Sequence, residues 1–388
     1  MSKNKLLSAI LVIIIYSISA GTSYILFSGD SKAVDIKTSA PIAGISGKFT
    51  FDDALPKTEP CPMNGLLYSK QQKDWWEKHR PLGIMVENHS EARPQSGLSS
   101  ADVLYEVVAE GGITRFLAIF YCQAAEVLGP IRSARTYFLD FISEYGSNPL
   151  YAHVGGANTD GPADALSQIE NYGWAELNDL NQFSVGFPTF WRDYDRLGHP
   201  AATEHTMYSA TEKLLQFAAT SRKLKVENED EIAWSKGFVK YDFKEDAPIS
   251  QRPSKQIIHL EFWTSDPAYA IDWTYEASEN IYKRSNGGVA HIDRNNNKQL
   301  VAKNIVALTM IESRANDGYE NNVHLLYKTK GSGKANIFMD GKQIVGTWRK
   351  DSRTARTLLF DSSGESIKLN RGTIWFEILP TDGLVTVK

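Results

Sequence analysis

The sequence predicts an α+β protein: an α/β-like first domain with a mixed sheet and helices, then a β-rich sandwich- or barrel-like second domain, behind an N-terminal transmembrane helix. Three observations carry this. An apolar run over residues 6–27 follows Lys3 and Lys5. Over residues 61–226, short β-branched and aromatic runs mix with apolar residues at helical spacing. From residue 255 onward, alternating runs are separated by Gly, Asn, Asp and Ser turns, and helical spacing is scarce. The divisions are an anchor (1–27), a linker (28–60), a first domain (61–226), an acidic connector (227–254) and a second domain (255–388).

The apolar run is long enough to span a bilayer, and the positive charge before it predicts a cytoplasmic N-terminus with the rest outside. A cleaved signal peptide is the rival, with a weak small-residue site near Ser19-Ala20. The run stays apolar past that point through Tyr24-Ile25-Leu26-Phe27, which favours a retained anchor. No cysteine follows closely, so a lipid-modified N-terminus is not expected. The 388 residues suffice for two domains and an extension. A formal net charge of −4 gives no bulk electrostatic case for binding nucleic acid or an acidic membrane surface. Nine Trp and seventeen Tyr suit a large β-rich core. Cys61 and Cys122 suffice for one disulfide and lack the clustered spacing of a zinc site.

In chain order, 73–79 reads as a short helix or an extended arm, and 81–89 as a first core strand. A hairpin follows, then a helix over 136–145 with Tyr137, Phe138, Phe141 and Ile142 toward the core. Residues 150–154 form a strand, and Thr159-Asp160-Gly161-Pro162 starts a helix running to about Tyr172. An irregular aromatic stretch, 183–205, carries Arg192, Asp193, Arg196, His199 and His205; a helix over 211–224 closes the domain. In the second domain, strands read over 257–263, 269–275, 281–283, 299–311, 323–328, 335–339, 343–348, 357–360 and 373–379.

The candidate chemistry lies within 93–156. Residues 103–109 and 113–122 flank Gly111-Gly112, whose freedom at positive φ suits a two-residue turn. Regular alternation from that turn sets Glu110 opposite Ile113, Val108 opposite Arg115 and Glu106 opposite Leu117. Glu106, Glu110 and Arg115 then share one face, a costly trio unless paired or used. Gly129-Pro130 breaks the chain, and Arg132-Ser133-Ala134-Arg135 leads into a helix with Ser133 as its N-cap. Two arginines beside free helix amides make an anion site. An Arg–Glu network locking sheet to helix is the structural alternative, and composition does not separate the two. The candidate ligand-binding set is Arg93, Arg115, Arg132, Ser133, Arg135 and His153; Glu106 and Glu110 are the candidate catalytic acids.

Other signals are weaker. Gly331-Ser332-Gly333-Lys334 has the wrong spacing for a phosphate loop and joins strands. His291-x-Asp293 reads as a structural His–Asp hydrogen bond on one strand face. His199 and His205 are too far apart for one helical face, and only the fold could bring them to His89 and His153. Neither a metal nor a cofactor is expected, and Gly-x-Ser-x-Gly, His-Glu-x-x-His and dinucleotide fingerprints are missing.

The run from Arg80-Pro81 to Gly156 resembles the YerB family of bacterial extracytoplasmic proteins, a family classed as of unknown function. The resemblance rests on Arg93-Pro94-Gln95-Ser96-Gly97-Leu98, Ala101-Asp102, Tyr105-Glu106, Glu110-Gly111-Gly112-Ile113-Thr114-Arg115 and Gly129-Pro130-Ile131-Arg132-Ser133-Ala134-Arg135. The second half is similar to the family's second domain at His291-Ile292-Asp293, Asn304-Ile305-Val306, Gly331-Ser332-Gly333, Gly346-Thr347-Trp348 and Gly372-Thr373-Ile374-Trp375. The resemblance implies a location outside the cytoplasm and a two-domain architecture. The chain departs from the lipoprotein pattern in lacking a lipidated cysteine. A looser analogy, on Asp102, Arg115, Arg132 and Arg135, is to the LytR-CpsA-Psr phosphotransferases, whose arginines and acids hold a polyprenyl pyrophosphate.

The leading expectation is a membrane-anchored cell-envelope protein that binds an anionic cell-wall precursor or glycan in an Arg/Glu-lined cleft. An envelope phosphoryl- or glycosyl-transfer enzyme at the same cleft is the second reading. A scaffold that docks an envelope protein partner is the third. Whether the chain is an enzyme is left open.

Overall fold

Ten strands line up in one sheet whose central strands are apolar and buried on both faces, which only a sheet covered on both sides can accommodate. In chain order they are β1 (Leu82–Glu87), β2 (Val103–Glu110), β3 (Ile113–Phe120), β4 (Leu150–His153), β5 (Asp179–Asn181), β6 (Asn304–Thr309), β7 (Gly331–Met339), β8 (Lys342–Lys350), β9 (Leu358–Asp361) and β10 (Ile374–Leu379). Their spatial order is β9-β8-β7-β6-β10-β2-β3-β1-β4-β5. This computed structural model describes residues 51–388 except 229 and 265. The predicted anchor at 1–27 and most of the linker lie outside the described residues. Among the described residues no helix is long and apolar enough to cross a membrane.

The chain is mostly β with few helices, and its sheets are mixed. β10 pairs in parallel with β6 on one side and with β2 on the other, setting Ile374 against Val103 and Glu377 against Glu106. The second half therefore does not close on itself as a sandwich or barrel. Every residue of β10 is buried, so the strand needs a neighbour on each edge, and β2 of the first half supplies one. A second sheet in this half is antiparallel, in the order Val289–Ala290, Ile281–Asn286, Ile271–Glu276, Ile257–Glu261, Leu384–Val387; Val301–Ala302 adds to Ile281–Asn286. Its strands alternate buried and half-exposed residues, as a one-faced sheet should. The buried face carries Trp273 against Trp375 of β10, ring centroids 5.1 Å apart.

The helices are short: α1 (Lys70–Trp76), α2 (Thr136–Ile142), α3 (Ala165–Asn171), α4 (Gln182–Val185) and α5 (Thr211–Thr220). α1 resolves the helix-or-arm choice at 73–79, and Ser69 and Gln72 close a capping box on it. α2 ends at Ile142 rather than 145. It lies on the sheet face opposite Trp273, where Phe141 stacks on Tyr105 at 4.8 Å and Tyr105 on Phe376 at 4.6 Å. Cys61 and Cys122 form a disulfide that ties the segment before α1 to the end of β3. Lys57–Pro60, within the predicted linker, pairs with Leu67–Ser69 as a small hairpin.

Candidate functional site

The β2–β3 hairpin organises the site. Gly111 and Gly112 turn at φ 59° and 81°, and Glu110 faces Ile113 as expected. Beyond that the expected register fails. An extra residue, Ala109, bulges between Val108 and Glu110, so Val108 faces Thr114, Val107 faces Arg115 and Glu106 faces Phe116. Because side chains alternate with period two, this one residue splits the predicted trio. Glu110 joins Arg115 on one face. Glu106 lies on the other with Thr114 and Phe116.

On the Glu110 face, the carboxylate takes an ion pair from Arg135 Nε and a second from Arg115 Nη2 at 3.4 Å. Burial pushes the Glu110 carboxyl up, but the two guanidiniums outweigh it and hold it below its ordinary value. Arg115 Nη1 donates to the Ser133 carbonyl at 2.8 Å. Ser133 is thus an anchor for Arg115 and not the N-cap: α2 begins after Arg135, with no side-chain cap. Arg132 Nε lies 3.2 Å from Glu87 Oε1, and its Nη1 donates to the Glu204 carbonyl at 3.3 Å. Glu87 Oε2 meets His205 Nδ1 at 2.8 Å, and the rings of His205 and His89 stack with centroids 4.8 Å apart. That contact with Glu87 holds the His205 imidazole above its ordinary pKa.

These groups enclose a cleft of about 310 Å³, lined by Glu87, His89, Glu91, Glu110, Ile113, Arg115, Arg132, Ala202, Glu204 and His205. β1 delivers Glu87 at its end, the turn Ser90–Ala92 carries Glu91, and the single turn Thr203–His205 brings His205. Of the predicted site residues, Glu110, Arg115 and Arg132 meet here, with Arg135 and Ser133 directly behind them. The fold brings His205 to His89, though not to His153; Glu87, Glu91 and Glu204 were missed, because their convergence depends on the irregular 183–205 stretch folding back over β1.

Arg93 and His153 do not join them. Arg93 donates to Asn88 Oδ1 and its carbonyl, both at 3.0 Å, and lies over the Tyr269 ring beside a separate cavity of about 520 Å³ lined by Val289, Ile292 and other residues. His153 is buried, one ring nitrogen on Asp179 Oδ1 and the other on the Gly155 carbonyl, each at 2.6 Å. Asp102 accepts the Tyr121 and Cys122 amides at 2.8 Å, so the Asp102–Arg115–Arg132–Arg135 grouping of the phosphotransferase analogy does not converge.

Glu106 is the centre of a different assembly. It is fully buried and pairs with Arg284, a residue sequence reasoning passed over. Thr114 Oγ1 donates to Glu106 at 2.6 Å and Asn88 Nδ2 at 3.1 Å. Arg284 lies over Trp375 at 4.8 Å and gives its other arm to His291 Nδ1 at 2.7 Å. Burial first, then Arg284, drives His291 well below its ordinary pKa, consistent with a neutral ring accepting from Arg284 and donating to Gln95 Oε1 at 2.6 Å. The expected His291–Asp293 bond is therefore replaced: Asp293 accepts instead from the Gly97 and Ser99 amides. Across the sheet, burial and then the Glu106 charge raise the Glu377 carboxyl well above its ordinary value. Glu106 is fully buried and does not line the cleft. Gly331-Ser332-Gly333-Lys334 opens strand β7 and has no phosphate-loop geometry.

This arrangement defines a two-part fold with a polar cleft in its first half, and sequence comparison gives it a class. The chain belongs to a two-domain family of unknown function, DUF3048, whose N-terminal domain matches residues 65–225 and whose C-terminal domain matches 258–376. It is similar to the Bacillus subtilis (strain 168) protein described as "Putative lipoprotein YerB", 28% identical over 332 residues that cover 84% of this chain and 89% of the relative. The crystal structure of YerB protein from Bacillus subtilis shares the fold, with a TM-score of 0.67 at 24% identity over 85% of this chain and 100% of that one.

Proposed function

We propose that this is a membrane-anchored extracytoplasmic protein whose cleft binds an anionic group of a cell-wall precursor or envelope glycan. The observation that carries the reading is Arg132. Its side chain is 27% exposed in the cleft wall, with Arg115 beside it fixed by Ser133 and Glu110. A guanidinium held by fixed partners is preorganised for a planar anion. Glu91 and Glu204 line the same cleft and would accept sugar hydroxyls next to that anion. The lipoprotein description of the Bacillus relative supports the location. So does the Cys61–Cys122 disulfide, since such bonds persist in oxidising compartments.

The test is binding of polyprenyl phosphates and wall-glycan fragments to the full chain in detergent, compared with Arg132→Ala. Removing one charge-assisted contact costs about 1.5–3 kcal/mol, so affinity should fall at least about tenfold in a variant that still folds by circular dichroism, its melting temperature lowered by loss of the Glu87 ion pair. Absence of binding, or equal binding by the variant, removes the reading.

A further inference from the structure

We propose that the mouth of the cleft is a divalent-cation site, with His89, Glu91 and His205 as ligands and a remaining position open to water or an anion. One ligand atom from each residue lies within 4.8 Å of the others. Two imidazoles and one carboxylate are the donor set of a borderline metal such as Zn²⁺, and three protein ligands leave a tetrahedral ion one free position.

The way His205 is held points the same way. Glu87 Oε2 takes the Nδ1 side of the ring at 2.8 Å, and Nε2 faces Glu91 Oε2 at 3.6 Å. A carboxylate on the far nitrogen is the arrangement that fixes the tautomer of metal-bound histidines and raises their basicity. Glu87 would be the positioning residue and His205 the ligand. His89 lies beside His205 in a stack with planes 14° apart, so its ring, which is half-buried, must turn out of the stack to direct a nitrogen at an ion held in the plane of His205. The His89 Nδ1 now accepts the Glu91 amide at 3.2 Å, a long bond that ligation at that nitrogen would displace.

Charge favours a cation as well. Four carboxylates line the cleft, Glu87, Glu91, Glu110 and Glu204, against three guanidiniums: Arg115 and Arg132 in its wall and Arg135, paired to Glu110 from behind. A tetrahedral site needs its donors about 3.3 Å apart for bonds of about 2.0–2.1 Å, so the three must draw in. Glu91 can do this: its side chain is 60% exposed on a short turn, whereas His205 is held in place at 6%. The inference stands independently of the anion reading, because the metal alone is the probe.

The experiment titrates Zn²⁺ calorimetrically, and Co²⁺ by visible absorption, into the full chain purified in detergent by an affinity tag without histidine. One equivalent of Zn²⁺ should bind, and Co²⁺ should give the d–d bands of a site with protein ligands. Glu91→Gln and His89→Ala, both at positions that leave the buried core untouched, should each weaken Zn²⁺ at least about tenfold. Glu87→Gln should weaken it by a factor within about 10–100 through loss of positioning. His199→Ala is the control and should bind as the parent does. No stoichiometric binding overturns the proposal, and so does equal affinity in Glu91→Gln and His89→Ala with circular dichroism unchanged.

Discussion

A buried guanidinium with no acid in reach is among the costliest groups a core can hold, and Arg284 is buried completely. Glu106 neutralises it, three aromatic rings face its π surface, and His291 takes its second arm. Breaking such a pair from one side leaves an unpaired buried charge. Arg284→Met should therefore cost about 3–5 kcal/mol in denaturant unfolding, and a loss under about 1 kcal/mol would show that Glu106 simply takes up a proton. Glu377 gives a pH test with a definite sign. Its folded pKa lies above its unfolded value, so the folded state binds the extra proton and stability falls as pH rises above about 4.5. Glu377→Gln keeps a donor toward Glu106 and cannot ionise. Its melting temperature relative to the parent should thus climb steadily from pH 4 to pH 8; a flat difference would mean that Glu377 is ionised in the fold.

Among elements, the β2–β3 hairpin shows what the sequence can and cannot convey. Its strand runs and Gly-Gly turn follow from β-propensity and positive φ, and both are where they were expected. The bulge at Ala109 leaves no such mark, since a small buried residue in an apolar run looks the same paired or extra. That single position decides which acid meets Arg115. A double-mutant cycle reads it directly: Arg115→Met with Glu110→Gln should show coupling of about 0.5–3 kcal/mol, and Arg115→Met with Glu106→Gln none beyond about 0.5. α2 begins at Thr136 as expected, but the capping argument fails: Arg135 stands at the N-cap without a side-chain bond, Ser133 anchors Arg115 instead, and with every residue of α2 buried the apolar spacing does not mark its end at Ile142. The disulfide is the third element-scale device. It closes a loop of 61 residues between the segment before α1 and the end of β3, and its reduction should cost about 4 kcal/mol in denaturant midpoint experiments. A reduced protein as stable as the oxidised one would show that the loop is already constrained by packing.

In the whole molecule, the two family segments are distinct in sequence yet share one sheet. Strand periods in each half were readable singly, but strand partners 271 residues apart leave no local pattern, so the β2–β10 seam was not. The seam is also locked on both faces. On one, Arg284 of the second half pairs with Glu106 of the first. On the other, Lys350 and Arg356 reach Glu144 just beyond α2, with Lys350 Nζ at 2.8 Å and both partners of that pair wholly buried. A first half made alone would expose the backbone edge of β2 and leave Glu106 and Glu144 without their cations. Exposed edges pair promiscuously and unpaired buried charges are not tolerated. Residues 51–226 expressed alone should therefore lack near-ultraviolet circular dichroism or aggregate. Residues 51–388 should melt in one calorimetric transition whose van't Hoff and measured enthalpies agree. Two resolved transitions, or a native-like fragment, would mean that the seam contributes little and that each half carries its own stability.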